Sequence, residues 1–234
     1  MRRALVALLV LPLALAACTG TEARVARQLA PKASVQQAAQ KTVEATSEHI
    51  TLSAGVLAGT ITGRVTGSGD FDNANRRGSF HLELPRLGEV DAVVDGTSAY
   101  VKAPFLAAFL PAGKTWLKLN GKASRFDVVP QNPEQALARL KKLARVRKVG
   151  DETIGGVNMT HYHGTGRLGS GNFDVWIGKD DGYVHRIAAA VRSRTGSGNG
   201  VLSFSDFGEP VSVDVPPASD TADGTNLVPF LRRG

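Results

Sequence analysis

Ser79-Phe80-His81-Leu82-Glu83-Leu84 alternates apolar and polar side chains without a break. Successive residues of a strand face opposite sides, so Phe80, Leu82 and Leu84 share one face of a half-buried strand. The pattern extends outward from there. Upstream, Thr60-Ile61-Thr62-Gly63-Arg64-Val65-Thr66-Gly67 alternates in the same way, and Asp72-Asn73-Ala74-Asn75 with Gly78 forms a polar turn between the two runs. Downstream, Val90 to Asp95 and Ala99 to Lys102 flank Asp95-Gly96, a hairpin signal. Lys114 to Leu119 adds a strand with Trp116, after an apolar interruption in which Phe105-Leu106 and Phe109-Leu110 lie between Pro104 and Pro111. That interruption reads as a short helix or apolar loop, either core or a hinged flap.

The second half repeats the texture. Val146 to Ile154 turns at Gly155-Gly156 into Val157 to Gly164, and Phe173-Asp174-Val175-Trp176-Ile177 alternates. Asp180-Asp181-Gly182 turns into Val184 to Arg194, and Gly196 to Gly200 leads into Val201 to Phe207. Val211 to Pro217 reads as an extended edge segment, because its prolines cannot donate to a ladder. Two helices interrupt the strands. Ser34 to about His49 places Val35, Ala38, Ala39, Thr42, Val43 and Thr46 on one face, with Ser34 as cap and Gln37 completing a capping box. Pro133 to about Leu143 places Ala136, Leu137, Leu140 and Leu143 together behind a first-turn proline. Many short strands with two helices predict an α+β fold, its helices on one side of a large antiparallel sheet. The strand spacing and the glycines at 55, 59, 63, 67 and 69 predict strong curvature or partial closure.

The N-terminus carries a separate signal. Arg2 and Arg3 precede the apolar run Ala4 to Ala14, which is shorter than the ~20 residues of a membrane-spanning helix. Leu15-Ala16-Ala17-Cys18 follows and holds the only cysteine. This is the lipobox pattern of bacterial lipoproteins. It predicts a signal peptide over 1–17, a diacylglycerol thioether on Cys18, and a flexible tether over 18–33. Two acyl chains hold a protein stably on a bilayer. The expected location is therefore the cell membrane, lipid-anchored on the extracytoplasmic face, with a folded domain over 34–217 and a tail over 218–234.

Composition narrows the functional classes. Loss of Arg2 and Arg3 takes the net charge from +7 to +5. Scattered Lys and Arg without aromatic interleaving argue against a nucleic-acid partner. The basic run Lys141, Lys142, Arg145, Arg147 and Lys148 is either a solvated face or a headgroup contact. His161-x-His163 puts two imidazoles on one strand face, but no third metal ligand is evident in the sequence, and a solvent-facing strand fits better. Gly67-Ser68-Gly69, Gly169-Ser170-Gly171 and Gly196-Ser197-Gly198 lack the first glycine of an esterase elbow and read as turns. No catalytic residue, cofactor or metal is expected.

The lipobox, the first helix and the Gly-rich strands combine with three further stretches. These are Gly155-Gly156-Val157-Asn158-Met159-Thr160-His161-Tyr162, Asp174-Val175-Trp176-Ile177-Gly178-Lys179-Asp180-Asp181-Gly182 and Phe204-Ser205-Asp206-Phe207-Gly208-Glu209-Pro210-Val211. Together, over about 34–217, they resemble the mycobacterial LppX/LprG-type lipoproteins. The resemblance implies a half-open antiparallel β-barrel like that of LolA and LolB, with helices across its concave side and an apolar cavity for acyl chains. It implies a non-enzymatic protein that binds acylated lipids or glycolipids and carries them across the envelope, with an export transporter as a candidate partner. Strand parity then gives a lining of Phe80, Leu82, Leu84, Val93, Val101, Leu117, Leu119, Phe173, Val175, Ile177, Ile187 and Val191, with Phe105, Leu106, Phe109 and Leu110 as a flap. The competing reading is an envelope structural or sensor lipoprotein with a filled sheet and a protein partner.

Overall fold

A computed structural model of the chain describes residues 30–58, 61–120, 133–166, 171–192 and 196–224. Cys18, the segment 1–17 and the residues to 29 lie outside this set, as does 225–234. Helix α1 (Pro31–Val43) comes first. Six strands follow: β1 (Ser47–Ala58), β2 (Ile61–Asp72), β3 (Arg77–Leu84), β4 (Gly88–Asp95), β5 (Ser98–Lys102) and β6 (Trp116–Asn120), with a 3-10 helix at Pro104–Phe109 before the last. Helix α2 (Pro133–Leu140) leads to β7 (Leu143–Ile154), β8 (Val157–Gly166), β9 (Asn172–Gly178), β10 (Val184–Arg192) and β11 (Gly196–Ser205). A 3-10 turn at Ala218–Asp220 and the short β12 (Thr221–Asp223) end the described chain.

The strands form one sheet in the order β12-β6-β5-β4-β3-β2-β1-β11-β10-β9-β8-β7. Every pairing is antiparallel except β12 with β6. Among the described residues the sheet does not close, and β12 and β7 are its edges. Its curvature follows from packing. Phe80 on β3 and Val175 on β9 belong to one core cluster, although four strands lie between theirs. At about 4.8 Å per step, a flat sheet would hold them about 24 Å apart. Glycine permits the close approach at the bend: a Cβ on Gly69 would stand 2.1 Å from the Ser79 carbonyl oxygen across the β2–β3 pair.

α1 packs on α2, β7, β9 and β10, on the concave side. Buried Thr42 ties it to the sheet. Its hydroxyl donates to Ala38 O at 2.9 Å and accepts from Val184 N at 2.8 Å. The 3-10 helix covers the other half of the concave face through Leu106.

Five sequence expectations need correction. α2 ends at Leu140, and Leu143, expected on its apolar face, opens β7 ahead of Val146. α1 starts at Pro31, not Ser34, because a proline at the first helical position is preorganised for the turn. The Ser34 hydroxyl points back to Ala30 O at 3.5 Å instead of capping. α1 also ends at Val43, well before His49. Asn73 captures the Ala45 carbonyl at 2.9 Å through its side chain and the Thr46 carbonyl at 2.9 Å through its backbone. The chain is thereby redirected into β1. Gly78 lies inside β3, not in the preceding turn. Val211 to Pro217 forms no strand, and the edge partner of β6 is instead Thr221–Asp223, within the segment expected to be tail.

Candidate functional site

Register resolves the concave face into cross-strand rows. One row runs Leu117, Val101, Ala92, Phe80, Gly69, Ile50, Phe204 from β6 to β11. A second runs Val90, Leu82, Gly67, Leu52, Leu202, Ile187, Val175, Tyr162 from β4 to β8. Much of these two rows is covered. Under α1 and α2, the residues Val35, Ala39, Leu137, Leu140, Val175 and Ile187 pack together; under the 3-10 helix, Leu82, Val90, Leu106, Leu117 and Leu119 do so.

A third row differs. Val65, Ala54, Gly200, Ala189, Phe173, Gly164 and Val146 align from β2 to the β7 edge. Val65, Ala54, Gly200, Ala189, Phe173 and Val146 are only half-buried, and the three central ones, Ala54, Gly200 and Ala189, are small. The row is a less covered apolar strip, a trough along the margin of the first cluster, against which Phe173 and Val146 pack.

Most of the expected lining residues lie on this face. Phe80, Leu82, Leu84, Val101, Leu117, Leu119, Phe173, Val175, Ile177 and Ile187 all join one of the two clusters. Val93 does not. It pairs across from Ser79 and Tyr100 and so occupies the convex face, while Val90 and Ala92 take the concave positions. The run Val90 to Val94 has apolar residues of both parities, and a one-residue choice exchanges faces. The backbone of Val191 pairs with Gly198, and its side chain lies outside the described residues. The expected flap is split. Leu106 is 3% exposed and Leu110 packs at its side, whereas Phe105 is 40% and Phe109 62% exposed. Ala54, Ala189 and Gly200 escaped the sequence reading because size, not hydropathy, distinguishes them; the alternate positions Ile187, Ala189 and Val191 carried the signal.

A cleft of about 450 Å³ lies between α1 and the ends of β8 and β9. Ala38, Tyr162 and Ile177 supply apolar walls, and Lys41, Lys179 and Gln37 a polar rim. Lys41 stands 4.7 Å from the Tyr183 ring centroid and donates to the Asp181 carbonyl. At the start of β1, Glu48 opposite Phe71 is 1% exposed, with neither carboxylate oxygen in a well-formed hydrogen bond. Burial pushes its pKa up to about 7, and nearby Asn73 offsets only part of that rise.

The convex face mixes Val93 and Tyr100 with charged pairs. All five histidines stand beside aspartates: His49 with Asp70, His81 with Asp91, His161 and His163 both with Asp174, and His185 with Asp181. Burial raises the Asp174 carboxyl, but hydrogen bonds from His163 and His161 outweigh it and hold the group below its usual range. The half-exposed setting of such pairs makes each worth little to stability, about 0–1 kcal/mol. Ser98 donates to Asn120 at 2.8 Å, and among the described residues no base hydrogen-bonds to it. Among the described residues no helix is long and apolar enough to cross a membrane.

An open, curved antiparallel sheet with helices over its apolar concave face defines the fold class. That fold is the one of mycobacterial lipoproteins of the LppX/LprF type. LprF from Mycobacterium bovis superposes with a TM-score of 0.57 at 14% identity, covering 80% of this chain and 97% of that one. LppX from Mycobacterium tuberculosis gives 0.55 at 23% identity, covering 78% and 97%. In sequence, a Streptomyces coelicolor protein named as a lipoprotein is 36% identical over 97 residues, 41% of this chain. An uncharacterised 31.2 kDa protein of Streptomyces griseus is 26% identical over 47% of it. The chain spans only 34% and 48% of the lengths of these two relatives. No family model matches it.

Proposed function

We propose that this chain is a non-enzymatic, membrane-anchored protein that binds acylated lipids or glycolipids and carries them across the cell envelope. The observation that carries this reading is the trough through Val65, Ala54, Gly200, Ala189 and Phe173: apolar, half-buried and floored by small residues. An acyl chain laid there gains roughly 0.8 kcal/mol for each methylene it buries. The cleft beneath α1, with lysines at its rim, is a second recess on the same side of the sheet. The lipobox at Cys18 and the relative named as a lipoprotein support an anchor on the extracytoplasmic face. The LppX/LprF fold supports the carrier class.

The rival reading is a structural or sensor lipoprotein with a filled core. It draws on the dense packing of Val175, Ile187, Leu137 and Leu140 under the helices. Two tryptophan substitutions separate the readings. Ala189→Trp should block the trough, removing binding of a fluorescent acyl lipid while leaving the melting temperature nearly unchanged. Val175→Trp sits at 1% exposure and should cost about 1–3 kcal/mol by overpacking under either reading. A parent chain that takes up no lipid, or an Ala189→Trp chain that binds as the parent does, would refute the carrier.

A further inference from the structure

One stretch of the chain gathers basic residues without acidic ones. Arg139, Lys141, Lys142, Arg145, Arg147 and Lys148 are six of the 28 Lys and Arg, with no acidic residue between Arg139 and Gly150. All six are exposed, at the end of α2 and along β7, an edge of the sheet. Lys148 pairs with Asp151 at 2.8 Å, and Lys141 bonds to Gln40. Arg139, Lys142, Arg145 and Arg147 make no ion pair among the described residues. Val149 beside them is 47% exposed, an apolar side chain within the basic strip.

Two further observations tie this edge to a bilayer. First, Gln36 of α1 donates to the Lys141 carbonyl at 3.1 Å. Pro31, where the chain from Cys18 enters the domain, lies five residues earlier, about 8 Å along the helix. The thirteen residues from Cys18 to Ala30 can span at most ~45 Å. An anchor at Cys18 therefore enters the domain on the basic side. Second, the trough row ends at Val146, on the β7 edge, where Arg145 and Arg147 flank it from the opposite face of the strand. An edge-on approach of β7 to a membrane would bring the open end of the trough to the headgroups.

We infer that the α2–β7 edge is a docking surface for anionic membrane lipid, on which Arg139, Lys142, Arg145 and Arg147 seat the domain with its trough opening toward the leaflet. The inference rests on the anchored-carrier reading. Basic residues near an anionic surface each contribute about fivefold in affinity, within a Debye length of ~10 Å.

The test uses the chain from residue 18 with Cys18→Ser, so that the acyl anchor does not mask the contact. Binding is measured by co-sedimentation with phosphatidylcholine vesicles, with and without phosphatidylglycerol. The parent should bind the phosphatidylglycerol vesicles and lose binding as salt is raised. Arg145→Glu with Arg147→Glu should weaken binding at least about tenfold. Arg76→Glu with Arg86→Glu changes net charge equally, in the exposed β2–β3 and β3–β4 turns, and should bind as the parent does. Equal loss in both double variants, or a parent indifferent to phosphatidylglycerol, would overturn the docking surface. Fluorescent-lipid uptake in solution separates the two claims. Uptake absent with vesicle docking intact refutes the carrier alone; uptake intact with docking insensitive to Arg145 and Arg147 refutes the docking surface alone.

Discussion

Glu48→Gln should stabilise the protein at alkaline pH and do little at acidic pH. The carboxyl is buried on the concave side of β1, and burial raises its pKa from 4.5 to about 7. In the unfolded chain the proton leaves near the ordinary value; in the folded chain it stays until about pH 7. Between those values the native state binds more protons, so stability falls as pH rises through the window, and the loss is complete above it. Each pH unit of that window is worth about 1.4 kcal/mol, so the full penalty is about 3 kcal/mol. For a domain of this size, 1 kcal/mol moves the melting temperature by about 2–4 °C. Glutamine keeps the shape and cannot ionise. Thermal melts should show Glu48→Gln about 6–12 °C above the parent at pH 8 and close to it at pH 4. A gap of the same size at both pH values would refute the reasoning, because a proton-independent effect of the substitution is all that would remain.

Thr42→Val should cost about 1–3 kcal/mol in chemical denaturation, since it leaves the buried Val184 N–H without its acceptor; a change under half a kcal/mol would mean that the α1 tie is dispensable. Leu106→Ala should cost about 2–5 kcal/mol and Phe109→Ala far less, because the first is 3% and the second 62% exposed; similar melting shifts for the two would contradict the split of the flap. Cys18→Ala should leave the melt of the domain unchanged and abolish partitioning into the detergent phase, and wild-type partitioning of that variant would remove the anchor.

The strands were legible because period-2 runs such as Phe80-x-Leu82-x-Leu84 leave only one half-buried solution. The Gly155-Gly156 turn was legible because both residues take positive φ, at 58° and 82°. The start of α1 was misread because Ser34 offered a capping signature while Pro31 supplied the stronger local constraint. Its end was set by Asn73, a tertiary partner that helical periodicity cannot reveal. Val93 was misassigned where Val90 to Val94 lacks polar alternation. The pairing of β12 with β6 was hidden because three residues carry no period; just after it only glycine fits at 224, since a Cβ would stand 2.4 Å from Leu117. The trough itself needed register, since Ala54, Gly200 and Ala189 become neighbours only when β1, β11 and β10 are paired.

The carrier reading is tested most directly by native mass spectrometry of the Cys18→Ser chain purified from a host with its membranes present. A carrier should appear as the polypeptide plus the mass of one acylated lipid, and Ala189→Trp should appear without it. The bare polypeptide alone, from a parent that stays folded through the measurement, would contradict lipid binding in the concave face.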